Sequence, residues 1–428
     1  MLASLACAQG SSEHTSVSAD GKTHITIWNF YAGVQAPSFK LVCDEFMRQN
    51  PDIVVESLTM GQNDIHTKIS MAITGNQAPD LFVRKGLPEY ASQGLLLSLD
   101  SYFAQAGISK ETFQPGFWDI ITWKGVPYGM PTQASVPLLY YNKNMFKEAG
   151  LDPNRPPRTW DEIFEYNRKL TKYDDQGNIV QAGIDFRNLW WNDFYMFHYG
   201  AKSIYDEKSH TWLKPKEAYQ YLEDVQALRD EYGAEKLNKL HAEDDVWPGL
   251  FNNHKVAMAL QGEWFDYRYK LNEAIDDFGA VLWPSKQSVM DKKGGPMVYM
   301  EADVAMIPVN APHPDAAFKF LAFFCGKDGQ KLMHTGAQGS GRASALKSFG
   351  EFIDKSTNPF INAHYEAMQI PLERKFQFPK SPVIEYYRTQ MTALFEELFV
   401  NNGDADKLYD QYMQRVQDAE DKFWVANQ

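Results

Sequence analysis

Between residues 24 and 84 the spacing of apolar side chains switches back and forth between the strand period and the helix period, and that alternation leaves few folds open. In "THITIWNFYAG" (23–33) Ile25 and Ile27 alternate into an aromatic run, as a strand requires, and Gly33 ends it. "APSFKLVCDEFMRQN" then puts Phe39, Val42, Cys43 and Phe46 on one helical face. Asn50-Pro51 stops that helix, because the residue before a proline avoids helical geometry. A second strand, "DIVVESLTM", leads into "GQNDIHTKISMAITG", where Asn63 or Asp64 is the expected N-cap, Ile65, Ile69 and Ile73 keep helical spacing, and Gly75 is the expected C-cap. "DLFV" is the third strand.

Strand, helix, strand, helix, strand is the signature of a parallel sheet covered by helices. In such sheets ligands gather beyond the carboxyl ends of the strands. That rule places Phe30 and Tyr31, Gln62 and Asn63, and Arg84 on one rim. Asp80 opens its strand, so its carboxylate is expected to order the preceding turn.

Further along, "ITWKGVPYGMPT" reads as a hairpin turning at Lys124-Gly125, and "SVPLLYYNKNMFKEAGLDP" as a strand running into a helix. Thr159-Trp160-Asp161-Glu162 is a capping box that starts a helix. "KVAMALQG" and "FGAVLWP" are strands, and "KGGPMVYMEADVAMIP" is expected to be two strands broken at Glu301-Ala302-Asp303. Pro314 sits in the first turn of "HPDAAFKFLAFFC", and the tail from Ser381 is helical.

A length of 428 residues suits two or three domains or one large two-lobed body, and 44% hydrophobic content supplies sizeable cores. A net charge of -13, with no basic block, argues against a nucleic-acid partner, and no zinc-ligand spacing occurs. Three cysteines are too few for a disulfide scaffold. Cys43 and Cys325 lie in helix-like apolar patterns and read as buried thiols, a bridge staying open if they prove adjacent. Cys7 follows "MLASLA" and precedes the polar tether "AQGSSEHTSVSADGKT", which resembles the end of a bacterial lipoprotein signal. The few residues before Cys7 cannot supply both a charged region and an apolar core, so the native start is expected upstream or trimmed away. No stretch approaches the roughly 20 apolar residues of a membrane span, so the expected anchor is an N-terminal lipid alone.

The order "EFMRQNPDI", "KISMAITGNQAPDLFV", "YASQGLLLSLDSYF", "GVPYGMPT", "LLYYNKNMFKEAGLDP", "TWDEI", "FNNHKVAMALQGEW" and "ADVAMIPVNAPHPDAAFKFLAFF" resembles the extracellular solute-binding proteins of the sugar type, the family of maltose-binding protein, from about residue 24 to the end. The resemblance implies an α/β, two-lobed periplasmic-binding-protein-like fold of type II. Each lobe is a central β-sheet flanked by helices, with hinge strands between the lobes. By similarity, residues 1–22 are a lipoprotein signal remnant and tether, 23–133 with 290–328 are lobe one, and 134–289 with 329–428 are lobe two, with crossings near Gln133, Ser288 and Gly329. It implies a monomeric, extracytoplasmic protein, lipid-anchored at the cell membrane, that binds a sugar or oligosaccharide in the interlobe cleft, closes on it and delivers it to the permease of an ABC importer. No cofactor, metal or catalytic residue is implied.

A sugar needs flat aromatics against its C–H faces and planar polar groups round its edge. Trp264, after Gly262-Glu263, occupies the family's Gly-x-Trp position for a stacking indole. Trp190 and Trp191 are adjacent in an aromatic loop, so they point differently and one of them meets sugar. Tyr31 ends the first strand, where ligand contact and lobe packing compete, and Gln62 and Asn63 combine capping with hydroxyl binding. Gln133 and Ser135 stand at a hinge where relatives often carry a carboxylate. Arg342, in "GSGRASAL", matches a loop that commonly reads Gly-x-x-Pro-x-Arg, here without its proline. Glu301 and Asp303 replace a frequent Gly-Gly pair, and Arg84 and Asp80 ("APD") complete the polar contacts. A glycosidase would need two carboxylates roughly 5–10 Å apart, for which Glu301 with Asp303, or Glu263 with Asp266, are the pairs to consider. A third reading keeps the fold and changes the cargo to a polyamine, a peptide or an acidic sugar.

Overall fold

The computed structural model describes residues 20–33, 35–184, 186, 192–242, 249–262, 265, 277–354 and 360–427. Trp190, Trp191, Trp264, Glu263, Asp266 and Cys7 lie outside them.

The expected alternation at the N-terminal end forms. Strands Thr23–Asn29, Ile53–Thr59 and Leu81–Arg84 are parallel, with helices Gln35–Gln49 and Gln62–Thr74 as the crossovers. Phe39, Val42, Cys43 and Phe46 are buried on one helix face, and Ile65, Ile69 and Ile73 on the other helix. Two later strands complete the sheet in the order Ile53–Thr59, Thr23–Asn29, Leu81–Arg84, Glu301–Met306, Gly129–Ser135. Glu301–Met306 runs antiparallel to both neighbours, so its first residues lie at the end where Leu81–Arg84 and Gly129–Ser135 finish.

A second sheet has the order Phe278–Leu282, Leu138–Asn142, Val256–Gln261, Ile179–Ile184, Lys172–Tyr173. Its largest core gathers Trp160, Tyr195, Tyr221 and Trp283 with the terminal helices Ile384–Val400 and Ala405–Ala426, apart from the first sheet's core. The two sheets are the centres of two bodies.

Three runs of chain pass between the bodies. The first is Val136-Pro137, between Gly129–Ser135 and Leu138–Asn142. The second leaves Phe278–Leu282 and returns through helix Gln287–Lys293 and strand Val298–Tyr299. The third contains Lys375–Phe376, which pairs in parallel with Val298–Tyr299. Gly329 is not a crossing. Met333, Ala343, Phe349 and Met368 belong to the first core, so residues 329–354 go with the first body instead of the second, and Met368 packs there too. Helix Lys327–His334 fixes this by burying Gln330, Met333 and His334. Gln330 Nε2 donates to Thr132 O at 2.9 Å, and His334 Nε2 meets the same carbonyl at 3.1 Å. A Cβ on Gly329 would lie 2.3 Å from Phe323 O, so the glycine permits a close helix-to-helix turn there.

Local details also differ from expectation. Helix Gln62–Thr74 is preceded by Gly61 as N-cap with no side-chain cap, while Asn63 and Asp64 sit exposed in its first turn. Half of the capping box at Thr159 forms: its side chain accepts from Glu162 N at 3.2 Å, but Glu162 bonds Arg158 N at 2.6 Å. The break in the "MVYMEADVAM" run falls at Met300, leaving Glu301 and Asp303 inside one strand. Cys43 and Cys325 are both buried free thiols.

Candidate functional site

A four-residue strand, Leu81–Arg84, separates two carboxylate environments. Asp80, at its start, is 1% exposed and accepts from Thr26 N at 2.8 Å and His313 N at 2.7 Å. It stitches the sheet to the loop before Pro314 and stands about 13 Å of strand away from the rim. Arg84, at the far end, is where polar side chains converge.

Six of the expected residues meet there: Arg84, Gln62, Gln133, Ser135, Glu301 and Asp303. Gln133 lies opposite Asp303 in the sheet, and Ser135 opposite Glu301. Gln133 Nε2 donates to Asp303 Oδ2, and its Oε1 accepts from Gln35 Nε2 at 3.2 Å. Lys85 Nζ donates to Glu301 Oε1, and Tyr299 OH to Glu301 Oε2 at 2.8 Å. Burial works to raise the Glu301 carboxyl, but Lys85, Arg388 and the Tyr299 hydroxyl outweigh it and hold it below the usual range. Burial pushes Asp303 up against the pull of Lys85 and Arg342. With both oxygens of Glu301 engaged and Asp303 bound to Gln133, the pair is arranged as hydrogen-bonded supports. Tyr31 turns inward: it is 1% exposed, its hydroxyl donates to Thr132 Oγ1 at 2.8 Å, and its ring packs on Phe39. Among the described residues Asn63 is exposed and makes no side-chain hydrogen bond to this cluster. Arg342 is half-buried, and its charge acts on both Asp303 and Tyr31.

The second body closes the other side. Glu385, in the first turn of Ile384–Val400, reaches Arg84 Nη2 at 3.5 Å, and Arg84 Nη1 also donates to Gln62 Oε1 at 3.4 Å. Arg388 holds Asp193 at 3.3 Å and lies over the Phe378 ring at 4.5 Å. A pocket of about 550 Å³ opens between Lys85, Ile120 and Glu301 on one side and Phe378, Ile384 and Glu385 on the other. Among the described residues no His/Cys/Asp/Glu group could hold a metal ion. Paired charges, planar amides and an apolar wall suit a hydroxyl-rich guest.

Lys85, Gln35, Glu385 and Arg388 were not singled out from sequence. The strand-end rule that named Arg84 also covers Lys85, its neighbour. Glu385 and Arg388 look in sequence like any surface pair on a helix.

Glu89 gives the interface a pH signature. It lies on helix Leu87–Ser92, with His66 Nδ1 3.8 Å away and Tyr90, Arg84 and Glu385 around it. Burial, and then the like charge of Glu385, raise its carboxyl to about 7 despite Arg84. A carboxyl raised on folding favours the folded state below its unfolded pKa of about 4.3 and becomes a growing liability as pH rises through its folded value. Glu89→Gln should therefore stabilise the protein by roughly 1–2 kcal/mol at pH 8 and change little at pH 5, read from urea melts at the two pH values.

A family model described as bacterial extracellular solute-binding protein matches residues 32–331. A protein of Brucella abortus (strain 2308) described as a binding protein is 25% identical over 320 residues, 73% of this chain and 74% of its own. The sn-glycerol-3-phosphate-binding periplasmic protein UgpB of Salmonella typhimurium is 30% identical over 155 residues, 35% of each chain. The structure of CpMnBP1 with mannotriose bound superposes with a TM-score of 0.77 at 22% identity, covering 92% of this chain and 99% of that one. The maltose/maltodextrin-binding domain of Bdellovibrio bacteriovorus with maltotriose gives 0.73 at 17% identity, covering 93% and 100%. The fold is that of the type II periplasmic binding proteins.

Proposed function

This chain belongs to the bacterial extracellular solute-binding proteins of ABC transporters, and from that premise we propose that it takes a sugar or oligosaccharide between its two bodies and hands it, chemically unchanged, to an importer's permease. The observation that carries the reading is the pocket of about 550 Å³ whose walls come from both bodies, next to a rim of hydrogen-bonding side chains. A ligand touching both walls favours a closed arrangement by its differential affinity for it. The three crossing runs at Val136-Pro137, Val298–Tyr299 and Lys375–Phe376 are the hinge in this reading. Arg84, Gln133, Ser135, Glu301, Asp303 and Arg342 form the polar side, and Trp264 with one of Trp190 and Trp191 supplies the aromatic plates. Similar structures hold mannotriose, maltotriose and cycloalternan, which supports a saccharide over a polyamine or peptide.

Among the described residues no helix is long and apolar enough to cross a membrane. We assign Cys7 as the lipid attachment point, on the strength of the small-residue run before it and the polar tether after it.

Small-angle scattering with a panel of neutral oligosaccharides tests the reading. A bound saccharide should reduce the radius of gyration and be recovered uncleaved. An unchanged radius at saturation, or recovery of shorter sugars, would defeat it.

A further inference from the structure

Three buried polar atoms near the first crossing have nothing to bond: Asp303 Oδ1, Ser135 Oγ and Gln261 Oε1. Their residues are 3%, 4% and 3% exposed. Backbone register ties all three to one run of chain. Asp303 lies opposite Gln133, Ser135 is itself part of the run, and Gln261 lies opposite Leu138. From 133 to 138 an extended chain covers at most about 17 Å, so the orphans of both sheets are tied to one short run of chain at the junction. Buried acceptors are rarely left without donors, and a group of them marks a place where something else supplies the donor. As a carboxylate Asp303 can only accept, as can Gln261 Oε1, and Ser135 can do either.

The cations around them are already engaged. Lys85 is held by Glu301, Arg84 by Glu385 and Gln62, and Arg388 by Asp193. The charge of Arg342 acts on Asp303. Arg84 Nε is a further orphan, but it belongs to a guanidinium whose charge Glu385 already balances. An anionic group entering here would meet carboxylates before any uncommitted cation, whereas an uncharged polyol would bring the missing donors.

We propose that Asp303, Ser135 and Gln261 form a specificity floor that takes the hydroxyls of an uncharged saccharide and that Asp303 turns away phosphorylated ligands. The inference rests on the sugar-binding reading and sharpens it against the glycerol-phosphate cargo of the UgpB relatives. Gln133 Nε2 already donates to Asp303 Oδ2, so an Asn at 303 would keep its carbonyl there and present an amide N–H where the free acceptor was.

Calorimetry with mannotriose, maltotriose and cycloalternan as neutral probes and sn-glycerol 3-phosphate as the anionic one provides the test. Wild type should bind at least one neutral probe and no glycerol phosphate. Asp303→Asn should weaken that saccharide at least tenfold. Ser135→Ala, which removes one orphan hydroxyl and no existing bond, should weaken it about threefold without moving the melting temperature. Glycerol phosphate bound by wild type, or both variants binding saccharide as tightly as wild type, would overturn this inference and leave the two-bodied binding reading standing. Binding of no probe would overturn both.

Discussion

Trp160→Ala should cost about 3–5 kcal/mol of stability in the second body, measured by urea denaturation followed by circular dichroism. The indole is fully buried and packs against the rings of Tyr195, Tyr199, Tyr221 and Trp283, with centroids 5.3 to 5.8 Å away. Its residue opens helix Trp160–Leu170, where the Thr159 side chain accepts from Glu162 N, and its backbone N–H donates to Ser285 O at 3.1 Å. Helix start, aromatic core and second crossing therefore meet at one residue, and its side chain supplies the core part. Truncation to Ala leaves a cavity that these rings cannot fill without leaving their present contacts. Its Nε1 has no hydrogen-bond partner, so the indole is retained for volume and shape. Trp160→Phe should accordingly cost no more than about 2 kcal/mol. Equal losses in the two variants would show that the site depends on the indole specifically.

What could be read from sequence divides along the range of the forces involved. The first three strands and two helices were legible because each carries its own period and the connections are short. Parallel pairing then brings Gln62 and Arg84 to one end of the sheet, and the antiparallel strand Glu301–Met306 brings Glu301 and Asp303 there beside Ser135 and Gln133. Direction along a strand is the finer signal: Asp80 precedes and Arg84 ends the same strand, yet only the second faces the junction. Tyr31 stands at the rim in sequence, but Thr132 and Phe39 draw it into the core, a packing choice no local pattern reveals. The third crossing escapes the sequence for a similar reason. Gly329 and Gln330 look like a break between elements, and only the carbonyl of Thr132, far away in sequence, shows that the helix docks on the first sheet. Glu385 stayed invisible because its meaning comes from Arg84 on the other body.

Glu420→Ala should be comparably severe, at about 3–5 kcal/mol in the same denaturation assay. Glu420 is fully buried in the C-terminal helix Ala405–Ala426. Its carboxylate accepts from Tyr205 OH at 2.6 Å, Trp212 Nε1 at 3.0 Å, Ser381 Oγ at 2.5 Å and Trp424 Nε1 at 2.6 Å. One side chain thus joins a hairpin, the chain leaving the third crossing and the last helical turn. Its removal strands several buried donors at once, and a buried donor without an acceptor costs about 1–3 kcal/mol. Glu420→Gln keeps one acceptor oxygen but turns an amide N–H toward donors that need an acceptor, so it should recover only part of the loss. Trp424 also lies 5.6 Å beneath the Lys124 ammonium of the first body's hairpin, which makes this node one of the contacts that set how the bodies meet. If Glu420→Leu, similar in size and unable to accept, proved as stable as the Gln variant, the carboxylate would be filling space there instead of gathering these three segments.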